Sequence, residues 1–452
     1  MASASKSLTA LILALLGADL LQAQAPAPAP APLRLSFAGA VREATGASVD
    51  TAPAAVTIAG FRSDAAGARV RQARSALLPN LSLSGSWVNR TFNPRTLGFQ
   101  IPGLSLPSLV PPFNAYDGRA RVTQTLFDPS SLRRVGAARG QLNATNAERT
   151  AVVETAAQNV ALAYARAARA EAVVEARQAD SALAAELVGL AVAQQRAGVS
   201  ASIDVTRAKT QLAEAAGRLV VAANQRDRAK IDLARAMGID PSTAIVLTDS
   251  LSPELGAADV PGDRNVAVTQ AIATRPDLLA EQARGAAARQ ASSAISAERL
   301  PRLDLEADYG FSGLRPSDAT GTRQVALELT LPILDGFRRE GRKGEQEAAV
   351  RESDVRVRDL HQQVTADVDG ALLDLRSAGA QQQIAVERLQ LAAQEVSEAR
   401  QRFKAGVAGN IEVINAQASL LRARDADIDA RFGAVSARIA LARSVGSART
   451  LH

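Results

Sequence analysis

Leu300-Pro301-Arg302-Leu303-Asp304-Leu305 decides the fold, because the chain carries an earlier version of it, Leu78-Pro79-Asn80-Leu81-Ser82-Leu83. Working outward from these two stretches, further matches follow in the same order. Leu126-Phe127-Asp128 is answered by Ile333-Leu334-Asp335. Arg196-Ala197-Gly198-Val199, then Ile203-Asp204-Val205, is answered by Lys404-Ala405-Gly406-Val407, then Ile411-Glu412-Val413. Met237-Gly238 is answered by Val445-Gly446, and the last two pairs share one offset of 208 residues. An ordered series of this kind is an internal duplication.

Each copy follows one plan: a helical stretch, a strand hairpin, then two long helices. Proline marks the long helices by its absence. None occurs between Pro129 and Pro241, and none after Pro332; a proline inside a helix costs about 3 kcal/mol. Each proline-free span is divided once, near Gly198 and near Gly406, where glycine accepts the left-handed conformation that ends a helix. Asp204 and Asn410 lie near the two restarts, where short polar side chains can cap exposed amides. The first helix of each pair runs about 68 residues, from near Ser130 to Arg196 and from near Gly336 to Lys404, or roughly 100 Å. Such a helix is a strut or a tunnel wall. Leu389, Val396 and Phe403 are seven apart with Ala392 and Ala399 between them, and Leu183, Leu187 and Leu190 repeat the four-three step of helices packed on neighbours. An ordinary coiled coil accounts for these helices but not for the hairpins.

In the second hairpin Leu303, Leu305, Ala307, Tyr309 and Phe311 alternate with Asp304, Glu306, Asp308 and Gly310, and Val325, Leu327, Leu329 and Leu331 with Gln324, Ala326, Glu328 and Thr330. In the first, Leu81, Leu83 and Trp87 alternate with Ser82, Ser84 and Ser86, and Ala120, Val122, Gln124 and Leu126 with Arg119, Arg121, Thr123 and Thr125. One face of each strand is apolar and the other mainly polar, which fits a half-buried soluble sheet or a lipid-facing barrel. Only 3% of residues are aromatic, yet Trp87, Phe92, Phe99, Phe113, Tyr116, Phe127, Tyr309, Phe311 and Phe337 gather in or beside the hairpins. Rings at strand ends favour the barrel, as membrane-interface girdles. Four strands cannot close a barrel, and an open edge in lipid leaves backbone groups unpaired, so the chain must oligomerise; a trimer supplies twelve strands. The lumen would then carry Asp304, Glu306, Asp308 and Glu328 opposite Arg119 and Arg121. Solvation of a polar face and ion selectivity both account for these six. The connection from Thr91 to Ala115 is long and proline-rich and reads as a lid over the mouth or as a plain surface loop.

Composition narrows the function. The chain of 452 residues has no cysteine and only two histidines, His361 and His452, far apart in sequence. That excludes disulfides, thiolate metal sites and a cysteine nucleophile, and leaves no basis for a histidine metal site or a serine–histidine relay. Neither a nucleophile paired with a base nor a glycine-rich phosphate loop stands out, so no enzyme and no cofactor is expected. The net charge is +6, but basic residues are spread among nearly as many acids, without the basic runs interleaved with aromatics that nucleic acid requires. Lys6 precedes the apolar Leu8 to Leu16, and Ala23-Gln24-Ala25 fits a cleavage site. Residues 1–25 therefore read as a signal peptide and residues 26–34 as a stiff Ala/Pro linker. The first repeat spans 35–240, with a β-hairpin at 80–127 and a helical hairpin at 130–238. An inter-repeat segment covers 241–264, and the second repeat covers 265–452, with a β-hairpin at 302–332 and a helical hairpin at 336–446. No later stretch is apolar for the about 18 residues a spanning helix needs, so any crossing of a membrane is as a barrel.

The duplicated order of helix, Leu-Pro-x-Leu strand, hairpin and helix pair with Ala-Gly-Val turns resembles the TolC-like outer-membrane factor family, over nearly the whole span from Leu35 to Val445. The resemblance implies a membrane α+β fold: a homotrimer whose twelve-stranded barrel in outer-membrane lipid continues as a long periplasmic α-helical barrel. It implies an exit duct for efflux or type I secretion, working with a periplasmic adaptor and an inner-membrane transporter that supplies the energy. Segment 241–264 becomes part of an equatorial belt. Ala197-Gly198-Val199 and Ala405-Gly406-Val407 become the adaptor-contact tip. Asp204 and Glu412 occupy the position where the family often has an acid, and Phe403 the place of an aromatic that helps hold the periplasmic entrance shut. A further acid three residues later is absent, since Arg207 and Asn415 stand there, which removes the doubled acidic ring. The alternative is a periplasmic coiled-coil adaptor or a structural protein, which the two aromatic-rimmed strand pairs argue against.

Overall fold

Long proline-free helices and alternating strands form where the periodicity calls for them. The computed structural model describes residues 32–45, 52–94, 109–252, 254–256 and 262–452. The signal peptide, most of the Ala/Pro stretch and the middle of the 91–115 connection lie outside the described residues. In chain order the elements are β1 (Leu33–Leu35), α1 (Phe37–Thr45), α2 (Ala54–Ser75), β2 (Asn80–Phe92), β3 (Val110–Phe127), α3 (Pro129–Arg196), α4 (Ser202–Met237), β4 (Ile245–Leu247), α5 (Arg264–Thr274), α6 (Pro276–Ala297), β5 (Arg302–Gly313), β6 (Thr320–Thr330), α7 (Arg338–Lys404) and α8 (Asn410–Ser444). Helices α3 and α7 are 68 and 67 residues long. No described helix is long and apolar enough to cross a membrane.

The strand-to-helix corners are built from acids. Asp128 caps α3 by accepting the Ser130 amide at 2.9 Å and the Ser130 hydroxyl at 2.7 Å, with Pro129 in the first turn. Burial alone would raise the Asp128 pKa, but hydrogen bonds from Ser131 and Ser130 outweigh it and hold the carboxyl below its usual range. At the equivalent corner Gly336 and Phe337 both take the left-handed conformation (φ 67° and 63°), and Asp335 binds Arg339 at 2.7 Å. Phe337 is the one described non-glycine residue with positive φ, a conformation that costs roughly 1–2 kcal/mol.

Two sheets form. The larger is antiparallel throughout, in the order β2-β3-β5-β6, so the two hairpins join through β3 and β5 while β2 and β6 remain as free edges. The smaller pairs β1 with β4 in parallel, Leu33 opposite Ile245 and Leu35 opposite Leu247. This corrects the linker reading of residues 26–34: its last residues are a strand. The Leu33 amide donates to the Ala244 carbonyl at 2.8 Å, and Leu35 is buried.

The main core lies at this small sheet, where α1, α3, α4 and α8 pack together around Phe37, Tyr164, Leu233, Met237, Val435 and Ile439. The rings of Phe37 and Tyr164 meet edge to face at 5.5 Å. The Tyr164 hydroxyl donates to the Leu35 carbonyl at 3.0 Å, and burial pushes its pKa up to about 12. Glu154, fully buried, accepts the Ala448 amide at 2.9 Å and the Arg449 guanidinium, so the C-terminal residues are held against α3. A second core follows the far ends of the helices, from Leu187 and Ala191 of α3 to Val396 and Phe403 of α7 and Val413 of α8.

Candidate functional site

The register sorts the large sheet into two chemically distinct faces, since residues directly opposite one another share a face. Leu81 pairs with Val122, Leu83 with Ala120 and Trp87 with Tyr116. Ala120 pairs with Tyr309 and Val122 with Ala307. Leu303, Leu305 and Ala307 pair with Leu329, Leu327 and Val325. The apolar face so assembled is open: Leu83 is 82% exposed and Leu329 is 69% exposed. Tyr309 and Phe311 stack edge to face at 5.5 Å beside the loop end of the sheet, where the Trp87–Tyr116 pair also lies. At the helix end Phe127, Ile333, Leu334 and Phe337 are exposed. Between these rims the strands are 11–18 residues long, enough for a tilted crossing of about 9–11 residues.

Arg119, Arg121, Asp304, Glu306, Asp308 and Glu328 all fall on the other face, and most of them neutralise one another. Arg119 binds Asp308 and also Asp117, at 2.9 Å. Arg121 binds Glu306 at 3.0 Å. Asp304 accepts the Thr125 hydroxyl at 2.8 Å and the Arg302 guanidinium. Sequence reasoning missed Arg302, although it stands two residues before Asp304 on the same side of the strand. Glu328, directly opposite Asp304, lies on the edge strand. Gly310 lets β3 and β5 approach: a methyl group there would come within 2.5 Å of the Gly118 carbonyl oxygen.

At the opposite end of the molecule the two helix turns are built alike. Gly198 and Gly406 take φ values of 73° and 71°. The amides of Val199 and Val407 return to the carbonyls of Gln194 and Arg402 at 3.0 and 3.1 Å. The turns also touch, since the Val199 side chain lies 3.6 Å from where a Gly406 Cβ would be; Val199 and Val407 are otherwise exposed.

The expected caps differ. Ala201 and Gly409 precede α4 and α8 without a side-chain bond. Asp204, inside the first turn, accepts the Ser200 hydroxyl at 2.8 Å and lies 3.7 Å from Arg207. Asn410 is buried and donates across the gap to the Asp204 carbonyl at 2.8 Å. The amide is drawn away from capping because burial demands a partner for it, and the neighbouring helix offers one. Phe403 is 3% exposed, packed inside the chain between the hairpins. The Gln194 amide holds the Phe403 carbonyl at 2.6 Å. Glu412 lies 3.4 Å from Arg402, and Asn415 is exposed. Asn410 and Gln194 carry no sequence signal of this role, because each acts across the gap between the two repeats, while Arg402 meets Glu412 across the turn of its own repeat.

Three comparisons bear on these features. Protein CyaE of Bordetella pertussis is 28% identical over 372 residues, 80% of this chain and 75% of that protein. The pyoverdine export outer membrane protein OpmQ of Pseudomonas putida is 23% identical over 266 residues, 58% of this chain and 55% of that protein. The crystal structure of the Campylobacter jejuni CmeC outer membrane channel superposes with a TM-score of 0.76 at 15% identity, covering 91% of this chain and 86% of that one. The family model for outer membrane efflux proteins matches residues 54–239 and 267–447, one stretch per repeat. With both repeats matched, the chain belongs to the outer membrane efflux protein family.

Proposed function

We propose that three copies of this chain close a twelve-stranded barrel in the outer membrane and continue into the periplasm as a tunnel walled by their long helices. As a member of its family the chain is an outer-membrane exit duct and not an enzyme. The observation that carries the trimer is the large sheet: an exposed apolar face and two free edges, β2 and β6. Neither is stable in one copy, because lipid must cover the first and backbone partners must satisfy the second. Twelve strands enclose a passage, where eight leave an interior filled by side chains. Light scattering of the detergent-purified protein, with negative-stain imaging, tests this. The expected particle is a trimeric rod well over about 100 Å long; a monomer that needs no detergent would sink the barrel.

The turns at Ala197-Gly198-Val199 and Ala405-Gly406-Val407 form the tip that meets a periplasmic adaptor, which joins the duct to an inner-membrane transporter. The exposure of Val199 and Val407 among the described residues favours this role. Asp204, Arg207, Glu412 and Asn415 surround the entrance, and Phe403 is packed behind them. Exchanging both tip valines for aspartate should abolish export in cells while leaving trimers intact; normal export would count against docking there.

A further inference from the structure

We propose that the strand-to-helix corner of the first repeat is a docking surface for anionic phospholipid headgroups. Its exposed apolar residues sit in the acyl chains, and arginines without ion pairs lie just below them on the lipid phosphates. The inference rests on the barrel reading and adds to it the class of lipid that the barrel prefers.

Each strand of the large sheet continues from or into one helix: α2 leads into β2, β3 into α3, α6 into β5 and β6 into α7. The four helix ends therefore stand below the sheet in the order of its strands, with α3 packed against α2 and α6, and α6 against α7. Within three turns of the sheet, about 16 Å, α2 carries Arg69, Arg71 and Arg74, and α3 carries Arg133, Arg134 and Arg139. No acid lies between Asp64 and Asp117, or between Asp128 and Glu148. All six arginines are exposed. Arg134 binds Glu298 at 3.0 Å, and Arg133 donates to the Ser293 carbonyl at 3.2 Å. Arg69, Arg71, Arg74 and Arg139 form no ion pair among the described residues.

The second repeat serves as an internal control. Leu78 answers to Leu300, an offset of 222, which turns Arg69, Arg71 and Arg74 into Ala291, Ser293 and Ser296. On the helical offset of 208, Arg139 becomes Glu347. Four of the basic residues at the second-repeat corner are paired: Arg299 with Glu340, Arg339 with Asp335, Arg342 with Glu298 and Lys343 with Glu347. The sister corner folds without the four free arginines, so neither helix nor corner requires them.

Apolar exposure marks the lipid side. Phe127, Leu132 and Leu78 are 52%, 58% and 61% exposed, where the apolar face of the sheet ends. Leu132 and Arg139 are seven residues apart, two turns along one stripe of α3. With α2 and α6 packed on α3, this stripe is not at an edge where another copy would pack. An arginine stem covers apolar surface while its guanidinium stays at the water boundary, and its planar fork matches phosphate oxygens. Four such charges per copy, in stretches without acids, call for an anion. Free phosphate has the charge but offers nothing in which Leu78, Phe127 and Leu132 can be buried; a phospholipid supplies both.

The test is lipid dependence. In nanodiscs the thermal midpoint of the unmodified protein should rise when phosphatidylglycerol replaces part of the phosphatidylcholine, and the rise should shrink at high salt. Arg71→Gln, Arg74→Gln and Arg139→Gln together should remove that rise. In native mass spectrometry the same variant should hold phosphatidylglycerol less well, by about fivefold per arginine, with phosphatidylcholine retention unchanged. Arg71→Lys, Arg74→Lys and Arg139→Lys together should keep the preference, as should Lys343→Gln at the second-repeat corner. An unmodified protein indifferent to phosphatidylglycerol overturns the docking surface, and so does a glutamine variant that still responds. Equal stabilisation by inorganic phosphate in detergent would make it a free-anion site instead. A glutamine variant that dissociates in every lipid would assign the arginines to acids of a neighbouring copy, and one that changes only in reversal potential would assign them to the lumen; both outcomes overturn the proposal. All of these leave the channel reading standing, whereas a protein that needs no detergent overturns both.

Discussion

At Gly198 and Gly406 the backbone turns through the left-handed region, and the residues around them carry the first predictions. Gly406→Ala should destabilise the tip by about 1–2 kcal/mol, read as faster amide exchange in the turn. Phe403→Ala, which empties a packed site between the hairpins, should cost about 3–5 kcal/mol in urea unfolding. Glu412→Gln should lower the preference for cations in bilayer recordings; unchanged selectivity would remove Glu412 from the entrance. Acid stability belongs to this scale as well. Burial works to raise the pKa of Asp277, but the Arg275 guanidinium outweighs it and the pKa is lowered, as it is for Asp128. A carboxyl whose folded pKa is depressed contributes stability above its unfolded pKa of about 3.9 and loses it as pH falls through the folded value. Unfolding midpoints should therefore fall as pH drops below about 4, and Asp277→Asn should flatten that dependence.

Strands and helices are legible in the sequence to different degrees. Alternation from Leu303 to Phe311 and from Leu81 to Trp87 assigns faces from the chain alone, because a side-chain period of two leaves no other choice. Ion pairing across the strands is not legible. Alternation sets the acids of β5 and Glu328 opposite Arg119 and Arg121 without saying which of them pair, and only the strand register brings Arg119 to Asp308 and Arg121 to Glu306. Arg119→Ala would free Asp308 and Asp117, three times over in a trimer. Single-channel recordings should then show a shift toward cations. An unaltered reversal potential would leave the pair with a structural role alone. The caps escape the sequence for a similar reason: Asn410 looks like a capping residue at a helix start, and only the approach of α4 draws its amide to the Asp204 carbonyl.

For the whole molecule, the exposed apolar face and free edges of the sheet make stability inseparable from assembly. Thermal unfolding of the detergent-solubilised protein should shift upward with protein concentration; a midpoint independent of concentration would indicate a self-sufficient monomer. The residues that follow the Ala/Pro stretch belong to the architecture. Leu33–Leu35 pairs with Ile245–Leu247 and packs beside Tyr164, so this short strand ties the start of the first repeat to the junction between the two.

Duplication, helix length, strand faces and membership of an outer-membrane efflux family were determined by the sequence alone. Periodicity and the spacing of Pro and Gly are local properties, written along the chain. Tertiary structure decided which acids are neutralised, where Phe403 is buried and how β1 finds β4. Arg119 and Asp308, Gln194 and Phe403, and Leu33 and Ile245 are roughly 190–210 positions apart, and such pairings follow from how helices and strands pack, which no local pattern records.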